Sequence, residues 1–223
     1  MFCSGKIKIN FIRHGETELN DKRCYIGLTD EPLSEKAKKE LKEKTERSLY
    51  PKVKTVFVSP LRRAIETSDI IYKNTNKIII DELKEMDVKN FEGKSYEELC
   101  DNEYYRFWLD KCKGISEEEL IKNYGKVCND KNLKELLPEN KEDFVNRTVS
   151  GFYKIIREAH SEDEISIIAH GGTIMALTSY FMDVDYYEYM VKCKEGIVAD
   201  VSYINNNGNI KISRFSVDNW IRA

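Results

Sequence analysis

The sequence predicts a layered α/β fold with a largely parallel central sheet. Runs of β-branched and apolar residues typical of buried strands alternate along the chain with segments of helical spacing. This alternation is typical of helices packed on a parallel sheet. With 223 residues and 41% apolar content, the chain is long enough to bury one substantial core. We therefore interpret residues 1–223 as a single domain.

Six segments have the composition of strands. Apolar residues recur at every second position in Ile7, Ile9 and Phe11, and β-branched residues dominate the next three segments. Near the end of the chain, two further segments flank an Asn-rich turn at residues 206–208 and predict a hairpin. The predicted strands comprise residues 7–11, 53–58, 78–80, 165–168, 198–204 and 210–217.

Three helices are predicted between these strands. Ser34 can cap a Lys- and Glu-rich helix that ends near residue 49. Ser59 followed by Pro60 predicts the start of a second helix, because proline suits the first helical position, where its missing N–H costs nothing. A third helix is expected over residues 171–180.

Residues 94–141 interrupt the alternation of strands and helices. They open with a capping box, Ser95 with Glu98, then carry an aromatic cluster and become charged and poorly periodic. Such a segment can form a helical lid over a site, or an additional packed helical layer without a role in recognition, and the sequence leaves both interpretations open. The aromatic residues are Tyr104, Tyr105, Phe107 and Trp108.

Composition and charge argue against several classes of partner. The formal net charge of −3 and the pI of about 5.8 do not favour nucleic acid or an anionic membrane as a partner. The N-terminus lacks the apolar stretch of a signal peptide, and no segment has the roughly 18 apolar residues that span a bilayer, so we expect a cytoplasmic protein. The six cysteines include no C-x-x-C pair, so we expect free thiols and no zinc site.

Two of the three histidines lie where a predicted strand gives way to a loop. His14 comes shortly after the first predicted strand and His170 shortly after the fourth, and each is followed by glycine. In open α/β sheets, ligands bind in the crevice beyond the carboxyl ends of the strands. Two imidazoles are therefore expected to face one crevice, which favours a functional role over a packing role. The third histidine, His160, lies in a charged stretch, and we expect it to be exposed and without a catalytic role.

The residues around His14 are suited to binding phosphate. Arg13 offers a forked guanidinium, and Gly15 allows the backbone to approach a ligand closely. Thr17 and Asn20 add neutral hydrogen-bond donors. Since the overall charge is negative, an anion site of this kind must be local.

Two further segments supply charged candidates for the same crevice. Arg62 and Arg63 follow the second predicted strand, where one can point toward the crevice while the other stays solvated, or both can be surface charges. The carboxylates Glu82, Glu85 and Asp87 follow the third predicted strand. Any of the three can be a solvated loop residue or a proton donor at the rim of the site.

Five short blocks along the chain have a common order and spacing. They are Arg13-His14-Gly15-Glu16-Thr17 with Asn20, Gly27 with Asp30-Glu31-Pro32-Leu33-Ser34, Ser59-Pro60-Leu61-Arg62-Arg63-Ala64 with Thr67, Leu83-Lys84-Glu85 with Phe91-Glu92-Gly93, and His170-Gly171-Gly172. Together they resemble the signature of the histidine phosphatase superfamily, which is also called phosphoglycerate mutase-like. One tripeptide would be a weak signal, whereas five blocks in order are specific. The resemblance spans about residues 6–180 and implies a three-layer α/β/α fold with a mostly parallel sheet and a helical lid insertion.

The resemblance implies a role for each matched residue. His14 matches the nucleophile that becomes phosphorylated. Arg13, Arg63 and His170 match the residues that bind the transferring phosphoryl group. Arg63 is indicated because it directly precedes Ala64, as the family arginine precedes an alanine. Such a site works without metal, since cations preorganised around the transferring group stabilise its charge.

Four other matched positions complete the implied site. Thr17, Asn20 and Gly171 line the phosphate pocket, and Glu85 is the proton donor. Glu85 would donate a proton to the leaving oxygen and then activate water. The resemblance implies neither a metal nor an organic cofactor, and it implies a small phosphorylated metabolite as the partner.

The superfamily contains phosphatases and mutases, and the resemblance favours a phosphatase that hydrolyses a small phosphomonoester. Residues 94–141 are shorter than the corresponding segment of the family's mutases and lack its paired arginines followed by Tyr-Asp and a proline run. A cofactor-dependent phosphoglycerate mutase and a non-catalytic protein that binds phosphorylated ligands are the alternatives. The sequence departs from the family at Ala37, Lys89 and Phe91, outside the phosphate pocket, so substrate identity is the least defined property. Sugar phosphates, phosphoglycerates and ribazole phosphate are candidates, and a homodimer is left open.

Overall fold

The structure is a computed structural model that describes residues 2–159 and 163–222. His160 lies outside the described residues, so its expected exposure stays a prediction. The elements in chain order are β1 (Phe2–Arg13), α1 (Glu18–Asp21), α2 (Glu35–Glu46), β2 (Thr55–Val58), α3 (Arg62–Ile71), β3 (Asn76–Ile79), α4 (Tyr96–Leu99), α5 (Glu103–Cys112), α6 (Glu117–Cys128), α7 (Leu133–Leu136), α8 (Lys141–Glu158), β4 (Glu164–Ala169), α9 (Gly171–Met182), β5 (Gly196–Asn206) and β6 (Asn209–Ile221), with short 3-10 helices at Asp81–Leu83 and Lys89–Phe91.

Contacts divide the described chain into two compact units. The first comprises Met1–Thr17, Asp30–Glu85 and Val145–Ala223, and the second comprises Glu18–Thr29 and Met86–Phe144. The second unit therefore includes a segment before α2 that the sequence did not indicate. A single domain with an insertion at about residues 94–141 stays a prediction.

The first unit contains one six-stranded sheet of order β3-β2-β4-β1-β5-β6. The pairs β3–β2, β2–β4 and β4–β1 are parallel, whereas β1–β5 and β5–β6 are antiparallel. The predicted α/β fold with a mostly parallel central sheet is confirmed. The predicted terminal hairpin is confirmed as well, and its strands extend beyond the predicted bounds.

Alternate residues of the strands pack against helices on the two faces of this sheet. On one face, Phe11 of β1 belongs to a cluster with Phe152 of α8 and Leu177 of α9. On the other face, the next residue, Ile12, belongs to a cluster with Leu41 of α2 and residues of α3. Because successive side chains of a strand point to opposite faces, this alternation produces helices on both sides of the sheet. The layers match the expected α/β/α arrangement.

Helix starts agree with the sequence at two sites and disagree at a third. Ser34 caps α2 by accepting from the backbone N–H of Ala37, and Ser95 forms the predicted capping box with its partner at α4. The predicted helix start at Ser59-Pro60 is wrong, because α3 begins at Arg62 and has no side-chain cap. The hydroxyl of Ser59 accepts from the N–H of Leu61 at 3.4 Å and is also hydrogen-bonded to another side chain, described below.

The second unit has its own apolar core. Phe91, Tyr105 and Phe107 are buried in it together with Leu99 and Leu120. Tyr105 packs edge-on against Phe91 with ring centroids 5.4 Å apart. The aromatic cluster noted in the sequence therefore takes part in packing within this unit.

A carboxylate holds together two parts of the second unit that are distant in sequence. Glu92 accepts hydrogen bonds from the backbone N–H groups of Gly27 and Leu28 and from the hydroxyl of Thr29. Cys24 and Ser95 form an isolated antiparallel bridge beside this contact. These bonds explain why residues 18–29 belong to the second unit.

Two further observations concern the described residues only. Cys24, Cys100, Cys112, Cys128 and Cys193 form no disulfide bond within the described residues. No helix in the part of the chain described is long and apolar enough to cross a membrane.

Candidate active site

Three parallel strands of the first unit end side by side. The N–H of His14 donates to the carbonyl of Ala169 at 3.0 Å, and the N–H of Ser59 donates to the carbonyl of Ile168 at 3.0 Å. The residues that follow β1, β2 and β4 are therefore held at one level of the sheet. This arrangement brings His14, Ser59 and His170 together.

His14 is buried, and its contacts indicate which ring nitrogen carries the proton. Its Nδ1 lies 2.7 Å from the carbonyl oxygen of Gly15, which can only accept, so Nδ1 carries the proton. The lone pair of Nε2 then faces the Nε–H of Arg63 at 3.3 Å. Burial, followed by the positive charges of Arg63 and Arg13, holds the pKa of His14 well below its ordinary value. His14 is therefore a neutral imidazole near neutral pH, with the proton on Nδ1 and a lone pair on Nε2 that accepts from Arg63.

His170 lies beside His14, with ring centroids 5.1 Å apart. Its Nε2 is hydrogen-bonded to the Ser59 hydroxyl at 2.7 Å. Its Nδ1 is buried and has no hydrogen-bond partner within residues 2–159 and 163–222. Burial, then the charge of Arg63, lowers the pKa of His170 well below its ordinary value. An unpartnered buried ring nitrogen of this kind requires a ligand or water, because burying it unsatisfied is costly.

Arg13 places a guanidinium against the start of α9. Its Nη1 donates to the carbonyl of Val191 at 2.9 Å, and its Nε is buried without a partner in the described part of the chain. A β-carbon on Gly171 would lie 3.2 Å from the guanidinium carbon of Arg13, so the side chain lies directly on the glycine backbone. The close approach sets a positive charge beside the N-terminus of a helix, where anions bind.

The two neighbouring arginines at the start of α3 have different environments. Arg63 is 1% exposed and donates to His14. Arg62 is exposed and forms an ion pair with Glu66 at 2.7 Å, one helical turn away. The structure thus brings Arg63 to the histidines and leaves Arg62 at the surface.

Glu85 is held beside the first turn of α9. Its Oε2 accepts from the N–H of Gly172 at 3.0 Å. The guanidinium of Arg147, from α8, donates to the carbonyls of Glu82 and Lys84 at 2.8 and 3.0 Å and so supports the loop that carries Glu85. A β-carbon on Gly172 would lie 2.2 Å from Glu85 Oε1, so only glycine leaves room for the carboxylate in this position.

The other two candidate carboxylates have partners of their own. Glu82 forms an ion pair with Lys154 of α8. Asp87 lies in the second unit and accepts from the N–H of Lys89 at 2.9 Å. Of the three, Glu85 is the one that the structure places at the start of α9.

The remaining predicted site residues are divided between the units. Thr17 is fully buried in the first unit. Asn20 lies in α1 of the second unit, where its carbonyl accepts from the N–H of Arg23 at 2.9 Å. Thr67, which the sequence did not single out as a site residue, accepts from the N–H of Gly15 at 2.9 Å and so fixes the loop after His14.

Residues of the first unit therefore combine two guanidiniums, two neutral imidazoles and a helix N-terminus. Such a set of donors is suited to an anion with several oxygen atoms, because each oxygen can accept more than one hydrogen bond. The family model for the histidine phosphatase superfamily (branch 1) matches residues 9–211. The chain belongs to the histidine phosphatase superfamily.

Relatives within the superfamily include both phosphatases and mutases. The chain is 25% identical to "Phosphoserine phosphatase 1" of Hydrogenobacter thermophilus over 82% of this chain and 80% of that protein. It is 29% identical to a 2,3-bisphosphoglycerate-dependent phosphoglycerate mutase of Buchnera aphidicola subsp. Cinara cedri over 90% of this chain and 96% of that protein. A crystal structure of phosphoglycerate mutase from Bacillus anthracis matches with a TM-score of 0.66 and 20% identity over 94% of this chain and 92% of that one, which supports the fold. The chain is therefore a phosphatase or a mutase.

Two residues that support the candidate site, Ser59 and Arg147, were not predicted from the sequence. Ser59 was interpreted as a helix cap, although its position at a strand end was a signal for the site. Arg147 gave no sequence signal, because it lies within the amphipathic helix α8 and acts through backbone carbonyls more than sixty residues away in sequence.

Proposed function

We propose that this enzyme is a phosphatase that hydrolyses a small phosphomonoester through a phosphohistidine on His14, without a metal ion or an organic cofactor. The observation that carries the proposal is the arrangement of His14. Its Nδ1–H is donated to the Gly15 carbonyl, so Nε2 holds a lone pair, and the pKa of the ring is lowered by burial and by two arginines. A nucleophilic imidazole has these properties.

In the first step, His14 Nε2 attacks the phosphorus atom and the ester oxygen leaves. The N–P bond forms as the P–O bond to the leaving group breaks, and negative charge spreads over the equatorial oxygens. Arg63 and Arg13 supply positive charge, and the buried Nδ1 of His170 supplies a donor when it is protonated. Because these groups are fixed by the fold, little rearrangement is needed during the transfer.

Glu85 moves the protons in both steps. In the first step its carboxylic acid donates a proton to the leaving oxygen and becomes a carboxylate. In the second step the carboxylate accepts a proton from water as the water oxygen attacks phosphorus and the N–P bond breaks. Phosphate is released, and His14 and Glu85 return to their starting states.

A mutase is the second candidate, because the match to a bisphosphoglycerate-dependent mutase covers 96% of that protein. A mutase must protect the phosphoenzyme from water until the substrate has reoriented. We favour hydrolysis because residues 94–141 lack the counterpart of the mutases' substrate-binding stretch. Cytoplasmic location, a small phosphorylated metabolite as substrate and a phosphate-binding role for Asn20 are parts of the proposal.

The test is hydrolysis of p-nitrophenyl phosphate in EDTA, with isomerisation of 3-phosphoglycerate measured in parallel. We expect phosphate release that resists EDTA, an acid-labile phosphoenzyme, and loss of both in His14→Ala. Rapid isomerisation with little hydrolysis would identify a mutase. Inhibition by EDTA that added metal reverses would contradict metal independence, and inactivity in both assays would favour a phospho-ligand binding protein.

A further inference from the structure

A lysine without a role in the chemistry above is bound directly to the nucleophile's strand end. Lys194 lies in the turn that precedes β5, and only 8% of its surface is exposed. Its N–H lies 3.1 Å from the carbonyl oxygen of Arg13 and 3.2 Å from that of His14. Its own carbonyl accepts from the hydroxyl of the buried Tyr50 at 3.0 Å. The backbone of Lys194 is therefore fixed on both sides.

The ammonium group of Lys194 joins two carboxylates from different elements. Its Nζ lies 2.6 Å from Oε2 of Glu16, which is two residues after His14. It also forms an ion pair with Glu40 of α2. Both ion pairs are partly buried, because the lysine side chain is 10% exposed and the carboxylates are 29% and 32% exposed, so salt screens them less than pairs at the surface.

Glu16 belongs to a loop that is fixed at several points. The carbonyl of Glu16 accepts from the N–H of Ser34 at 2.9 Å, and the N–H of Gly15 donates to Thr67 at 2.9 Å. The Gly15 carbonyl in turn accepts the Nδ1–H of His14. A displacement of Glu16 would therefore shift the carbonyl that fixes the tautomer and direction of the imidazole.

The backbone of Lys194 adopts a conformation that favours glycine. Its φ is +67°, in the left-handed region that glycine adopts freely and that residues with a β-carbon adopt at a cost. A glycine here would relieve that cost and would remove the side chain that reaches Glu16 and Glu40.

We propose that Lys194 is a positioning residue whose ammonium group, through Glu16, holds the Gly15–Thr17 loop so that His14 Nε2 is directed at the phosphorus atom. This proposal rests on the proposed function of His14 as the nucleophile. Lys194 acts on the loop through Glu16. Glu40 also forms an ion pair with Lys194, but it lies in α2 and does not hold the loop.

Two matched pairs of variants test the proposal with p-nitrophenyl phosphate. Lys194→Met and Lys194→Gly are expected to lower kcat about tenfold or more with little change in KM, because a small misdirection of a nucleophile is costly. Lys194→Gly relieves the backbone, so it should be more stable than Lys194→Met and equally slow, and Lys194→Arg should restore most of kcat. Glu16→Gln should reproduce the loss, whereas Glu40→Gln should keep kcat near that of the parent protein.

A second readout does not depend on catalysis. In protein labelled with ¹⁵N-histidine, the Nδ1–H signal of His14, assigned by its absence in His14→Ala, should be sharp in the parent and in Glu40→Gln. It should broaden or exchange faster in Lys194→Met and Glu16→Gln. An inactive parent would reject the proposed function and leave this signal as the test of Lys194. Full activity in Lys194→Gly, or equal losses in Glu16→Gln and Glu40→Gln, would overturn the positioning role while the phosphatase proposal stands.

Discussion

Lowering the pH from about 7.5 to about 5.5 without phosphate is expected to destabilise the protein through His14 and His170. Both rings are buried, and burial together with the arginine charges holds both pKa values well below the ordinary value. In the unfolded chain each histidine titrates near its ordinary pKa of about 6.5. Below that pH the unfolded state binds more protons than the native state, so the free energy of unfolding falls as the pH falls. The loss ends only when the pH reaches the native pKa values.

The size of this effect follows from the linkage relation. A histidine that stays neutral in the native state over this whole range loses roughly 1–2 kcal/mol of stabilisation between about pH 7.5 and pH 5.5, because its unfolded form becomes about ten times more protonated than neutral. The two histidines together account for at most about 3 kcal/mol. For a chain of this size, 1 kcal/mol corresponds to about 2–4 °C in Tm, so the pair accounts for a decrease of at most about 6–12 °C.

The assay is thermal unfolding across this pH range for the parent protein and for the double variant His14→Gln/His170→Gln. Other titrating groups occur in both proteins, so the difference between the two slopes isolates the histidines. Saturating orthophosphate should flatten the slope of the parent, because a bound anion favours the protonated rings. A parent whose Tm is constant over this range, or a double variant with the same slope, would refute the inference that both histidines are neutral in the native site.

Four further predictions concern kinetics. Arg63→Ala should lower kcat/KM for an aryl phosphate by about 10²–10³-fold. Arg62→Ala removes an exposed ion pair, so it should leave kcat/KM unchanged and shift Tm by no more than about 2 °C. Equal losses of kcat/KM in the two variants would contradict the assignment of Arg63 to the phosphate site. Glu85→Gln should keep the burst of p-nitrophenol and slow the later turnover, as followed by stopped-flow absorbance. Gly172→Ala should displace that carboxylate and lower kcat by roughly ten- to a hundredfold, with binding of orthophosphate as the control for an intact pocket. Arg147→Met should lower kcat more for an alkyl phosphate than for an aryl phosphate. Alkyl leaving groups depend more on a proton donor, and Arg147 supports the loop that carries the proposed donor, Glu85.

Most of the site's central residues could be predicted because strand ends and glycines are local signals. His14 and His170 each follow a run of buried residues, and parallel strands end at one edge of a sheet. The arginine could not be chosen from spacing alone, since Arg62 and Arg63 both start the same helix. The resemblance to the family indicated Arg63, and the structure buries that side chain beside His14.

The supporting residues could not be predicted, because their contacts join distant segments without any pattern in the sequence. Arg147 binds carbonyls, which every residue has, so no partner side chain identifies its role. Lys194 stands in a turn where its neighbours give no reason to expect a bond to the end of β1. The same applies to Glu92, whose bonds to residues 27–29 draw that segment into the second unit. Ser59 accepts from the nearby N–H of Leu61, and its bond to the distant His170 could not be predicted from a local pattern.

Arg63 has two effects on the same ring, and the two belong to different moments of the reaction. Before a substrate arrives, burial and then the charge of Arg63 disfavour a second proton on His14, so the nucleophile of the proposed mechanism is neutral near neutral pH. In that mechanism, the same charge would face the oxygens of the transition state when a phosphoryl group is present. A bound anion would offset the arginine charges, which add to burial in keeping both histidines neutral. In the proposed mechanism a protonated His170 would donate to the transferring group, whereas His14 must attack while it is neutral. The proposed attack therefore depends on the His14 Nδ1–H remaining bound to the Gly15 carbonyl, which leaves the lone pair on Nε2.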